Sequence, residues 1–305
     1  DPIELMEKYG ADGVRVGMLL TSPAGNDLPF DEKLCEQGRN FANKIWNAFR
    51  LTQGWEVDEA REQVASSTVA VEWMESRIQE VVGELEGQFA EFRLSEALMS
   101  TYRLVWDDFC SWYLEWIKPG FEKPMDQAHL NKAISFFEIL LERLHPFMPF
   151  VTEEMFHLLK DEQLVDLCVR QMDASFIARA ADHAILTEAV LLKSAITAIR
   201  DARVKAQIKN KDAVSLFVAA KEKSVWLPIQ ELLCKQVNAK AFSFTDDAVA
   251  ETIQLVIGGD KFYVKADQVL DTSIQRKELE TELAYFQGFL FPFKPTFKSL
   301  TFKNA

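Results

Sequence analysis

No apolar run in this 305-residue sequence is long enough to span a bilayer, so no transmembrane helix is expected. The first residues, "DPIELMEKYG", have neither a basic start nor an apolar core, which excludes a secretory signal. They also lack an initiator methionine, and the chain reads as an excised piece of a longer protein. Cysteine is scarce: Cys35, Cys110, Cys168 and Cys234 are scattered, and no pair has C-x-x-C spacing. That argues against a zinc or thioredoxin-like site and reads as isolated buried thiols in a reducing cytosol. Histidine is scarcer in effect, since His129, His145, His157 and His183 join no catalytic pattern. There is no P-loop, G-x-G-x-x-G, G-x-S-x-G or H-E-x-x-H, so no catalytic residue, metal or cofactor is expected within this chain. The formal charge of −13 argues against a surface that binds nucleic acid throughout. It leaves room for local basic patches, because phosphate binding depends on the local field.

What the chain has in quantity is helical periodicity, with seven Trp and 23 Phe to fill a core. Residues 31–52 read as one amphipathic helix with Leu34, Gly38, Phe41, Ile45 and Ala48 on one face. Asp31 caps its start and Gly54 stops it. A second helix is predicted over about 69–90, with Met74, Ile78, Val81, Leu85 and Phe89 inward and an acidic solvated face opposite. A third covers about 94–118 through Leu98, Tyr102, Val105, Phe109, Trp112 and Trp116, ending at Pro119–Gly120. A fourth covers about 127–145 through Leu130, Ile134, Phe137, Leu141 and Leu144.

The stretch "LHPFMPFVTEEMF", 144–156, then breaks the pattern. Pro146 ends the fourth helix, because the residue before a proline avoids helical geometry. Pro149 suits the first turn of a new helix, whose positive end favours Glu153 and Glu154. His145 reads as a satisfied structural histidine at this corner. Residues 31–160 therefore look like an antiparallel helical bundle.

After about 165 the texture changes. Helices fit 184–207 and 223–236, and "AVSLFVAA", "AFSF", "TIQLVIGG" and "KFYVKA" read as short strands with a hairpin turn at Gly258–Gly259. This is a small α+β domain. From 273, "SIQRKELETELAYFQGFL" has a short heptad-like stripe, Ile274, Leu279, Leu283, Phe286 and Leu290, and the tail after it loses that pattern.

Two features stand out as candidate sites. The polar face of the first bundle helix carries Asn40, Asn43, Asn47 and Arg50, with Arg39 and Lys44 beside it. Amides and guanidinium groups in a row can read base edges and hold phosphates, and Trp46 and Phe49 between them can stack on unpaired bases. The competing reading makes the asparagines interhelical partners and the aromatics core. The second feature is a basic cluster, Lys193, Arg200, Arg203, Lys205, Lys209, Lys211, Lys221 and Lys223, in an otherwise acidic chain. It reads as contact with an RNA backbone or as ordinary charged surface.

Four segments in order resemble consecutive blocks of the bacterial valyl-tRNA synthetase family: "DPIELMEKYGADGVRVGMLLTSPAGNDLPFDE", "GRNFANKIWNAFR", "FRLSEALMSTYRLVWDDFCSWYLEWIKP" and "LHPFMPFVTEEMF". The likeness runs across about 1–160, weakens through the small domain and returns at "IQRKELETELAYFQGFL". "DFCSWYLE" followed by "LHPFMPF" favours the valine enzymes over their isoleucine and leucine relatives. The resemblance implies a mainly α fold in which an antiparallel bundle of the anticodon-binding type precedes a small α+β domain and a C-terminal coiled-coil segment. The implied boundaries are 1–30 for a stem-contact connector, 31–175 for the bundle, 182–271 for the α+β domain and 273–305 for the start of the arm.

In the family, ATP and magnesium serve a Rossmann catalytic domain marked by H-I-G-H and K-M-S-K-S. Neither signature occurs here, and the position matching "DPIELMEKYG" follows the second. The resemblance implies a valine-specific tRNA as partner, a monomer without membrane attachment, and a cytoplasmic location. It implies that Arg39, Asn43, Lys44, Asn47 and Arg50 meet the anticodon, that stacking comes from Phe41 or Trp46, and that Arg200, Arg203, Lys205 and Lys209 meet the outer corner of the tRNA. The family's long charged hairpin is replaced here by "FPFKPTFKSLTFKNA". Two alternatives stay open: the equivalent region of another class I synthetase, and a helical protein-interaction scaffold without RNA affinity.

Overall fold

A computed structural model describes residues 1–21, 30–60, 65–120, 123–159, 165–171, 180–266, 281 and 283–285. It is mainly helical, with one four-stranded sheet among the described residues. Contacts divide the chain into a first unit, Asp1–Ala195 with Glu222–Gln236, and a second, Ile196–Lys221 with the chain from Val237 onward. None of the described helices is long and apolar enough to cross a membrane.

The first unit opens with two helices where the sequence suggests a connector: α1, Pro2–Tyr9, and α2, Ala11–Thr21. The Asp1 carboxylate caps α1 by accepting from Ile3 N at 3.0 Å, and Pro2 occupies the first turn. Helix α2 lies against α3, Glu32–Gln53, at very close range. A Cβ at Gly17 would sit 2.6 Å from the Cys35 sulfur, and one at Gly38 would sit 2.6 Å from the Gly13 carbonyl oxygen. Only glycine permits that approach. Helix α3 is capped by Asp31, which accepts from Lys33 N, and buries Phe41, Ile45, Ala48 and Phe49. Burying each of the larger side chains contributes about 1.5–3 kcal/mol.

Helix α4, Ala65–Ala90, buries the predicted Met74, Ile78, Val81 and Leu85. The next helical run does not stay α throughout. Helix α5, Leu94–Arg103, passes into a π-helical segment, Leu104–Tyr113, and then into α6, Leu114–Ile117. Leu114 N donates to Phe109 O within this segment, one residue further back than an α-helix reaches. Nothing in the four-and-three spacing of the apolar residues marks the change. Asp108, buried in the π segment, accepts from Arg77 Nε at 2.8 Å and from Lys193 Nζ at 2.7 Å. The Lys193 ammonium also lies 4.2 Å from the centre of Trp73. Burial pulls its pKa down while Asp108 opposes that. Lys193 is thus a bundle residue, and the sequence reading of it as part of a basic surface is corrected.

Helix α7, Gln127–Leu144, buries Phe136, Phe137, Leu140, Leu141 and Leu144, while Leu130 and Ile134 fall at the margin of the stripe. The corner into α8, Pro149–Leu158, forms at the predicted place. Arg15 on α2 clamps it, donating to Phe147 O at 3.1 Å and Pro146 O at 2.9 Å. Asp12 on the same helix accepts from Val151 N at 2.7 Å and Phe150 N at 3.3 Å, supplying the cap that α8 lacks locally. Burial pushes the Asp12 carboxyl above its ordinary range, and those two hydrogen bonds oppose the shift. His145 Nδ1 lies 2.8 Å from Thr152 Oγ1, which itself donates to Met148 O, so the imidazole is satisfied inside the corner. All four cysteines are free, but only Cys35 is fully buried. Cys110 and Cys234 are half-buried and Cys168 is exposed, which corrects the expectation of buried thiols throughout.

Helix α9, His183–Lys205, begins in this unit and continues into the second. The predicted 223–236 helix is shorter: a 3-10 turn at Lys223–Val225 precedes α10, Gln230–Val237, because Pro228 intervenes. Lys235 Nζ and Gln236 Nε2 donate to Trp116 O and Glu115 O, satisfying carbonyls at the end of α6.

In the second unit, β1 (Val214–Ala219), β2 (Ala239–Phe244), β3 (Ile253–Ile257) and β4 (Asp260–Ala266) form a sheet in the order β2-β1-β4-β3. Strand β1 is parallel to β2 and antiparallel to β4. Val214, Leu216 and Val218 alternate inward on β1, and Phe262 and Val264 of β4 oppose Val218 and Leu216. The β3–β4 hairpin turns at Gly258 and Gly259, whose φ of 60° and 87° suit a two-residue turn that disfavours side chains. The expected helical arm from 273 lies almost wholly outside the described residues, in which Leu283 and Tyr285 are exposed.

Candidate nucleic-acid interface

Helical spacing places Asn40, Asn43, Asn47 and Arg50 on one face of α3, opposite the buried Phe41, Ile45 and Phe49. All four polar side chains are exposed, and none hydrogen-bonds to any described residue. The three asparagines border an open groove of about 350 Å³ between α3 and the π segment with α6. Asn40, Asn43, Lys44 and Asn47 supply its polar lining, and Ala48, Leu51, Cys110 and Leu114 its apolar lining. Burial pushes the Cys110 thiol up to about 12, so at neutral pH it presents a neutral wall.

Lys44 is held rather than free. Its Nζ lies 2.9 Å from Ser111 Oγ and 4.5 Å from the centre of the Trp106 ring. Ser111 Oγ in turn donates to Trp106 O at 2.9 Å. Arg39 is exposed but points to α1, where Nη1 donates to Lys8 O at 3.0 Å. Trp46 is half-buried, its ring 5.7 Å from that of Phe49.

Phe41 does not fit the stacking role the resemblance implies. It is fully buried, 4.4 Å centre to centre from Tyr102 and 6.2 Å from Trp106, so neither ring face is open to a base. Phe49 is buried as well. Arg203 is corrected for a related reason. It is 2% exposed, and its guanidinium donates to the carbonyls of Lys209, Asn210, Asp212 and Val237. An arginine so committed organises the loop before β1 and is too deeply buried to meet a phosphate. Arg200, Lys205 and Lys209 are exposed in the second unit.

The sequence reading missed the far side of the groove, Cys110 and Leu114, and the Ser111 hydroxyl that holds Lys44, which only the packing of α3 on the π segment brings together. Elsewhere, one group among the described residues joins metal-ligating side chains: His157 Nε2 lies 3.1 Å from Glu153 Oε1 and 2.9 Å from Asp166 Oδ1. Glu153 also accepts from Leu167 N and Cys168 N, so the hydrogen bonds account for the cluster as a tie between α8 and the following segment.

With this geometry in view, residues 71–218 match the anticodon-binding domain of tRNA ligases. The chain is 39% identical to the valine–tRNA ligase of Parabacteroides distasonis over 95% of its own length and 33% of that protein. It is 41% identical to those of Phocaeicola vulgatus and Porphyromonas gingivalis, again over 95% of its length, covering 33% and 32% of them. The chain therefore spans about a third of the length of the curated relatives it matches. Over residues 71–218 the chain is thus similar to the anticodon-binding domain of tRNA ligases, and nearly its whole length aligns with one part of the valine–tRNA ligases.

Proposed function

We propose that this chain is the tRNA-binding portion of a valine–tRNA ligase and reads the anticodon on α3. In the whole enzyme, valine is activated with ATP and magnesium and passed to tRNA; neither group is assigned to a residue of this chain. The chain alone does no chemistry and positions the tRNA. The observation that carries this reading is the unpartnered amide and arginine face of α3 beside an open groove.

Single-stranded anticodon bases are recognised by side chains that meet their exposed edges and faces. Asn43 and Asn47 offer paired amide donors and acceptors, Lys44 and Arg50 offer positive charge, and Trp46 offers a partly open ring face. Arg39 sits at the α1 end of the same helix. Arg200, Lys205 and Lys209 are assigned to the sugar–phosphate backbone. The boundaries at 31–175 and 182–271, a coiled-coil arm from 273, a monomeric state and a cytoplasmic location complete the proposal.

Binding of the 305-residue chain to a valine-isoacceptor tRNA transcript, titrated against salt and in competition with isoleucine and leucine tRNAs, tests it. The Asn43→Ala/Asn47→Ala double variant should weaken binding and narrow the preference for the valine species. Unchanged affinity in that variant would remove α3 from the interface. Equal competition by all three tRNAs would leave the region to another class I synthetase, and no RNA binding at all would favour a protein scaffold.

A further inference from the structure

The inference rests on the proposed RNA reading and concerns how the groove holds Lys44. A serine hydroxyl has a single proton, and in Ser111 that proton is committed to Trp106 O at 2.9 Å. Its lone pairs therefore face outward, and Lys44 Nζ donates to them at 2.9 Å. The same Trp106 contributes its ring, whose centre lies 4.5 Å from the ammonium. Trp106 and Ser111 are five residues apart, the hydrogen-bonding interval of a π-helix. One residue thus fixes the hydroxyl with its carbonyl and receives the cation on its face.

An ammonium has three N–H donors. One is given to Ser111, while the ring takes only electrostatic attraction, so donors remain for a ligand in the groove. A lysine left free would lose most of its rotamer freedom on binding RNA, and holding it beforehand removes that loss. We propose that Ser111 is a positioning residue for RNA binding: it presets Lys44 at the edge of the α3 groove without touching the RNA itself.

The experiment is a double-variant cycle on the 305-residue chain, with affinity for the valine-isoacceptor transcript as readout. Ser111→Ala should weaken binding roughly two- to tenfold, and Ser111→Thr, which keeps the hydroxyl, should restore most of it. In a Lys44→Ala background, Ser111→Ala should cost nothing further. A purely structural role for Ser111 in the π segment would instead give the same loss in both backgrounds, and that result overturns the proposal, as does full affinity in Ser111→Ala. If Asn43→Ala/Asn47→Ala weakens binding while Lys44→Ala does not, the groove reading survives and the proposed role of Ser111 fails. If Asn43→Ala/Asn47→Ala has no effect, the groove reading itself fails.

Discussion

Arg203 and Arg50 look alike in the sequence, each at the polar side of a helical stretch, yet they do opposite things. Arg50 is exposed and unpartnered among the described residues. Arg203 is buried on four backbone carbonyls that nothing local to α9 predicts, because three come from the loop before β1 and one from Val237 at the end of α10. Arg203→Met should lower stability by about 3 kcal/mol, since those carbonyls lose a charged donor in a buried place, and urea unfolding followed by circular dichroism measures it. Asp12 makes a different kind of prediction. Its folded-state pKa is raised above the ordinary value, so between the two the native state binds more protons than the unfolded one. Its contribution is therefore larger at low pH and falls as pH rises through that window. The stability difference between the unsubstituted chain and Asp12→Asn should shrink on going from about pH 4 upward; a difference that grows with pH would contradict the assigned direction. The sequence showed the role of neither residue, because partners supplied from another part of the chain leave no local signature.

At the scale of elements, the periodic helices were legible because burial follows the 3.6-residue repeat. The inward stripe of α4 and the proline corner before α8 form where the spacing and the prolines place them. Helices α1 and α2 were not legible as such. The packing of α2 rests on Gly13 and Gly17 against Cys35 and Gly38, a contact made by absent side chains. Gly38→Ala should cost about 1–3 kcal/mol, because the added methyl meets backbone rather than a movable side chain. Thermal unfolding tests it, with Gly83→Ala as the control: a Cβ there meets nothing within 4 Å, and alanine is the better helix former. Equal behaviour of the two variants would remove the close approach as the cause. The π segment was equally hidden, since its apolar residues fit an α-helix.

The whole molecule carries a charge of −13, and the proposed reading gives RNA only a polar helix face and the few cations assigned to it. Such a chain should bind tRNA with a shallow salt dependence, set by a small number of phosphate contacts. Lys205→Ala/Lys209→Ala should lower the salt slope by about two and weaken all tRNAs alike, whereas the α3 variants should act on discrimination. A double lysine variant that changes preference and leaves the slope intact would reverse those assignments. A last consequence lies in the π turns between α5 and α6, which hold more chain than α turns of the same length would. That makes the segment a store of slack. Removing the exposed Asp107 should let it tighten to α geometry with the bundle still formed, while Trp106 and Ser111 lose their interval and the lysine its seat. The same shortening within α4 would turn everything beyond it by about 100° and expose its core stripe. One helix of this protein can thus lose a residue and keep its shape while giving up its hold on Lys44.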